Sequence, residues 1–110
     1  MTGHGALDQS LLNPTRLSIV SVLAATHWAE SAYTREAVEL SDSALSKQVS
    51  ALDKLGYVQA EKGYVGKRPR TWLNLTDAGR KAFSDHVATL RRIADHARGP
   101  GPATEPPARK

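Results

Sequence analysis

Ser41-Asp42-Ser43-Ala44-Leu45-Ser46-Lys47-Gln48-Val49-Ser50-Ala51-Leu52-Asp53-Lys54-Leu55-Gly56 is the stretch on which the fold turns. A Ser/Asp cluster able to cap a helix precedes Leu45, Val49, Leu52 and Leu55, whose spacing of four, three and three lines one helical face. The opposite side carries Ser43, Lys47, Ser50 and Lys54, flanked by Ser46 and the small Ala44 and Ala51, so it is short-chained, polar and positive. Gly56 ends the helix, because a residue without a Cβ adopts the left-handed cap cheaply.

Working outward, Tyr57 to Lys62 and Thr71 to Leu75 favour aromatic and β-branched residues and bracket the segment Gly63 to Arg70. The pattern predicts a β-hairpin with a charged tip, in which Lys67, Arg68 and Arg70 surround Pro69. Lys62 and Thr71 stand at its base. A slim helix with a polar, basic outer face, joined through one glycine to a basic hairpin, fits a major groove about 12 Å wide and the phosphates beside it. The predicted fold class is therefore α+β, mainly α with a β-hairpin wing: a winged helix-turn-helix with a three-helix core and a long C-terminal helix.

From about Leu12 to about Ala97 the sequence also resembles the small winged-helix regulators related to the MarR and ArsR groups. The motifs that carry the match are Ser43-Ala44-Leu45-Ser46-Lys47, Leu52-x-x-Leu55-Gly56-Tyr57-Val58, Gly66-Lys67-Arg68-Pro69-Arg70-Thr71 and Leu75-Thr76-x-x-Gly79-Arg80. The resemblance implies repression of transcription and dimerisation through the first and last helices, here Leu7 to Leu12 and Phe83 to Ala97.

Upstream, Leu7, Leu11 and Leu12 make a short apolar stripe, and Asn13-Pro14 opens a helix to about His27, with Leu17, Val20, Leu23 and Ala24 on one face broadened by Ile19 and Val22. Ser31 is the expected cap of a short helix to about Val38, with Tyr33, Ala37 and Leu40 inward and a turn at Glu39 to Asp42. Thr34 and Arg35 are weaker candidates for a phosphate contact. Downstream, Thr76 caps the last helix, and Gly79 inside its first turn suits close packing against the hairpin more than helix formation. Phe83, Val87, Leu90, Ala94 and Ala97 follow at spacings of four, three, four and three, a heptad-like seam longer than one small domain covers, which predicts a homodimer.

In all, 110 residues hold one domain. Residues 7–97 are assigned to it, 1–6 to a loose N-terminus, and 98–110, with four prolines, to a disordered tail. The net charge of +4 suits nucleic acid mildly, and its concentration between Lys62 and Arg70 suits it better. The absence of cysteine excludes thiolate metal sites and disulfides. His4, His27, His86 and His96 lack ligand spacing within a helix, so neither metal nor cofactor is expected, and His86 and His96 are taken as exposed helix residues. Trp28 and Trp72 read as core or wing packing, with a ligand pocket lined by Trp28 at the dimer interface as the alternative. No phosphate loop, nucleophile elbow or carboxylate pair is present, so no enzyme is expected.

The candidate DNA contacts are thus Ser43, Ala44, Ser46, Lys47, Ser50, Lys54, Lys62, Lys67, Arg68, Arg70 and Thr71, with Gln48 either reading a base or bracing the turn. The candidate dimer contacts are Leu7, Leu11, Leu12, Phe83, Val87, Leu90, Ala94 and Ala97. The partners expected are double-stranded DNA, a second copy of the chain, and any small effector at the interface between copies. Without a membrane-length apolar run or a secretory h-region, the expected location is the cytoplasm. Two other functions fit the same residues: a nonspecific, architectural DNA binder, and a winged-helix protein-interaction module.

Overall fold

The computed structural model describes residues 7–98; the expectations for residues 1–6 and 99–110 lie outside them, and Arg98, assigned to the tail, is the last residue of the final helix. The elements run from a 3-10 turn at Gln9–Leu12 to α1 (Pro14–Ala24), β1 (Ala29–Glu30), α2 (Ser31–Ala37), α3 (Asp42–Lys54), β2 (Val58–Val65), β3 (Arg68–Leu75) and α4 (Asp77–Arg98). The strands form one antiparallel sheet in the order β1-β3-β2. Its inner face gives Val58, Leu73 and Leu75 to a core shared with Leu11, Ile19, Val20, Leu23, Leu45 and Leu52.

Local chemistry explains the main boundaries. Asn13 Oδ1 accepts from the Thr15 and Arg16 backbone N–H groups at 2.9 and 3.1 Å, and Pro14 occupies the first turn where its missing donor costs nothing. Ser41 Oγ accepts from the Ala44 N–H at 3.1 Å and starts α3. At the other end Gly56 takes φ +80°, the Tyr57 N–H returns to Leu52 O at 3.0 Å, and the Gly56 N–H to Asp53 O at 2.9 Å. This paired closure satisfies carbonyls the helix would otherwise leave open and aims the chain into β2.

Several expectations need correction. Helix α1 stops at Ala24, short of His27. Ser31 is the first residue of α2, not its cap; Glu30 stands in the cap position and makes no side-chain cap bond. Tyr33 and Ala37 face solvent, and Thr34 is the buried residue of α2, its hydroxyl donating to Glu30 O at 3.1 Å. Thr34 therefore offers nothing to a phosphate. The turn into α3 lacks glycine because Glu39 adopts the left-handed conformation itself, at φ 56°. Leu55 is exposed, since the left-handed closure at Gly56 begins just beyond it.

The four residues of Leu75-Thr76-x-x-Gly79-Arg80 turn out to be structural. Leu75 is buried, and Thr76 Oγ1 accepts from the Gly79 N–H at 3.0 Å while its own O–H donates to Gly56 O. Gly79 lies buried against the backbone at Tyr57, the close approach its position suggested. The Arg80 guanidinium joins Thr26 O at 2.9 Å and Asn74 Oδ1 at 3.0 Å, tying α4 to the end of α1 and to β3.

A second tie forms at the N-terminal segment. Asp8 Oδ1 accepts from the Ser10 N–H at 2.8 Å, Asp8 Oδ2 accepts from the Tyr57 hydroxyl, and the Asp8 N–H donates to His86 Nδ1 at 3.0 Å. His86 is buried rather than exposed as the helix pattern suggested. The hydrogen bond to Asp8, then burial, then the charge of that carboxylate push the Tyr57 phenol up from 10.0 to about 12. A folded-state value above the unfolded one means that the contribution is present below pH 10.0 and lost as pH climbs toward about 12. Urea midpoints at pH 9.5 and 11.5 are therefore expected to fall further for the wild type than for Tyr57→Phe. Parallel falls would mean that the bond to Asp8 does not form in solution.

Candidate nucleic-acid interface

Ser43, Ser46, Lys47, Ser50 and Lys54 are all exposed on α3, opposite the buried Leu45 and Leu52, as the sequence pattern requires. Ala44 is half-buried at the edge of this face. Gln48 is not: its Oε1 accepts from Arg16 Nε of α1 at 2.9 Å. Of the two roles open to it, bracing is the one the fold uses, and Arg16 is the partner that sequence reading missed. Arginine in the helix before a helix-turn-helix carries no local mark of such a role.

Beside α3 the hairpin is longer and tighter than predicted. Both strands run eight residues and close through Gly66-Lys67, with Val65 opposite Arg68. Gly66 sits at φ +63° as the first of two central residues, the arrangement whose twist matches antiparallel strands. Arg68, Pro69 and Arg70 therefore belong to β3, not to a loop. Pro69 faces Tyr64 on β2, on a stretch of β3 that β1 does not reach, so its missing N–H leaves no partner strand unpaired there.

Strand alternation sorts the wing into two faces. Ala60, Lys62, Tyr64, Thr71 and Leu73 share the inner face. Lys62 and Thr71 meet Ser46, Ser50 and Asp53 of α3 across a common cleft, so helix and wing form two walls of one groove. Glu61, Arg68, Arg70 and Trp72 lie on the outer face. Lys67 and Arg68 are exposed at the tip, whereas Arg70 is half-buried with Nε 3.8 Å from Glu30 Oε1. Arg35 Nε lies 2.9 Å from Asp42 Oδ1, which holds the end of α2 to the start of α3. The unpaired cations of this side are Lys47, Lys54, Lys62, Lys67 and Arg68, counted among the described residues.

The predicted dimer seam divides in two. Leu11 is fully buried and Phe83 packs on the same core, so neither is free for a second chain in the way expected. Helix α4 turns Gly79, His86 and Thr89 into the fold, with Ala82 and Phe83 packed beside them, and an apolar stripe through Phe83, Leu90, Ile93 and Ala97 continues past them. That stripe shares Phe83, Leu90 and Ala97 with the predicted seam, while Val87 and Ala94 stand about 60–80° to its side. Its first half is covered by the chain's own core. Its second half projects past that core, with Leu90 at 37% and Ile93 at 43% exposure among the described residues, and Leu12 is 49% exposed.

Residues 15–94 match the family described as a winged helix DNA-binding domain. MJ0432 of Methanocaldococcus jannaschii is 25% identical over 79 residues, spanning 72% of this chain and 86% of that protein. The structure of a transcriptional regulator homologue from Pyrococcus horikoshii superposes with a TM-score of 0.76 at 26% identity, covering 82% of this chain and 89% of that one. The PcaV transcriptional regulator of Streptomyces coelicolor shares the fold at a TM-score of 0.66 and 22% identity, over 74% of this chain and 60% of that one. Family and fold are those of regulators and not of enzymes.

Proposed function

From its membership of the winged helix DNA-binding domain family, we propose that this chain is a transcriptional regulator that binds double-stranded DNA sequence-specifically as a homodimer. The single observation that carries the reading is the groove between α3 and the wing, with Ser46, Ser50, Lys62 and Thr71 along its walls and Lys47, Lys54, Lys67 and Arg68 exposed around it. Short hydroxyl side chains let the α3 backbone lie deep in a major groove, and the flanking cations meet phosphates on either side. In this mechanism α3 reads bases, and Lys67 with Arg68 holds the flanking backbone or minor groove. Promoter occlusion in the cytoplasm is the regulatory outcome the reading assigns. Among the described residues, no helix is long and apolar enough to cross a membrane.

The projecting half of the α4 stripe supports the dimer, since Leu90 and Ile93 are apolar groups that one domain does not bury. Twofold symmetry then places two α3 helices about one turn of duplex apart. Selection of bound duplexes from a random pool at two salt concentrations is expected to enrich an inverted repeat with half-site centres about 10 base pairs apart. Binding without enrichment would assign the chain to architectural, nonspecific DNA binding. Absence of binding at low salt would turn the winged helix into a protein-interaction module.

A further inference from the structure

The outer face of the wing carries a group of side chains that DNA binding leaves unused. In register across the three strands stand Glu30, Trp72 and Glu61, so an indole lies between two carboxylates on one sheet face. Trp28, two residues before Glu30, joins Trp72 and Glu61 around an open cleft of about 380 Å³. Gly63 keeps that face low: a Cβ there would lie 3.0 Å from the Trp72 ring, so the ring rests directly over the strand. Trp28 remains 42% exposed although a tryptophan gains much from burial.

The two carboxylates are not equivalent. Glu30 faces Arg70 at 3.8 Å, whereas Glu61 is exposed and enters no ion pair among the described residues. Glu61 is moreover the acid at the base of a hairpin whose other charged residues, Lys62, Lys67, Arg68 and Arg70, are basic. Indole faces attract cations through the negative ring quadrupole, and a carboxylate at the rim adds a Coulomb term that a neutral ligand does not feel. We propose that Trp28, Trp72 and Glu61 form a binding site for a small organic cation of the quaternary ammonium class.

This face is opposite the one that looks into the α3 groove, and Trp72 and Glu61 stand at the base of the wing, away from Arg68 at its tip. The site is independent of the DNA reading. Trp28 and Trp72 are the two tryptophans of the chain, so tryptophan fluorescence, excited at wavelengths where the three tyrosines do not absorb, reports on this site. Titration of the full chain with choline at constant ionic strength is expected to give a saturable fluorescence change. The neutral isostere 3,3-dimethylbutan-1-ol is expected to bind at least tenfold more weakly, and Glu61→Gln to weaken choline at least fivefold with an unchanged circular dichroism spectrum. Equal response to the neutral isostere, no effect of Glu61→Gln, or no saturable change with choline would each overturn the assignment.

Discussion

Gly79→Ala is expected to destabilise the protein by about 3 kcal/mol, the upper range for forcing atoms into a packed site. Inside a helix the same exchange ordinarily stabilises by about 1 kcal/mol, because alanine has the better helix propensity. Here the sign reverses. A Cβ on Gly79 would stand 2.2 Å from Tyr57 O and 2.9 Å from the carbonyl carbon, both backbone atoms that cannot swing aside as a side chain would. Tyr57 O already accepts from the Thr76 N–H at 3.0 Å, and Thr76 in turn holds both Gly79 and Gly56. Relief of the clash must therefore lift α4 from the junction where α3 passes into the wing. In a small domain whose total stability is of order 5–15 kcal/mol, this is a large fraction. A urea midpoint clearly below that of the wild type checks the prediction; an unchanged or raised midpoint would show that the junction yields, and that the contact does not fix the angle of α4.

The same junction shows which parts of the molecule its sequence announces. Helix α3 was legible because its determinants are local: Ser41 caps three residues ahead, Leu45 and Leu52 keep one face, and Gly56 alone can close the end. The groove-facing serines and Lys47 follow from the same period, so the candidate site was readable wherever it lies on that helix. Residues whose roles depend on distant partners were not. Gln48 gave no sign of Arg16 thirty-two positions away, nor His86 of the Asp8 backbone seventy-eight away. Thr34 has a local acceptor, Glu30 O four residues back, but its burial comes from the packing of α2 on β3 and α1, which no residue near it announces. On α4 the buried face passes through His86 and Thr89, polar residues that an apolar heptad period through Val87 and Ala94 does not include. The wing is legible from its two β-rich runs, but its turn is narrower than the pattern suggests, because Lys67, Arg68, Pro69 and Arg70 resemble a loop although the last three are paired strand.

Lys47→Ala combined with Arg68→Ala is expected to lower affinity for a selected duplex by about two orders of magnitude near 100 mM salt, on the scale set by counterion release. The choice of residues follows from their surroundings. Lys47 stands exposed in the middle of the α3 outer face and Arg68 beside the wing tip, and neither has an ion-pair partner among the described residues. Arg70 is different, since Glu30 stands 3.8 Å away and already offsets part of its charge. Arg70→Ala alone should therefore cost less than Arg68→Ala. Each phosphate contact contributes about 0.9 to the slope of log affinity against log salt. Two lost contacts per chain should then reduce that slope by about 1.8 in a monomer and about 3.6 in a homodimer on one operator. The salt series thus separates two explanations that a single affinity leaves merged: a fall in affinity with the slope unchanged would indicate damage to the fold, whereas a fall in both counts the phosphates released. No change in affinity would remove this face from the interface. A slope change near the larger value requires two chains, each placing α3 and a wing on the same duplex, which is what the uncovered stripe at Leu90 and Ile93 allows.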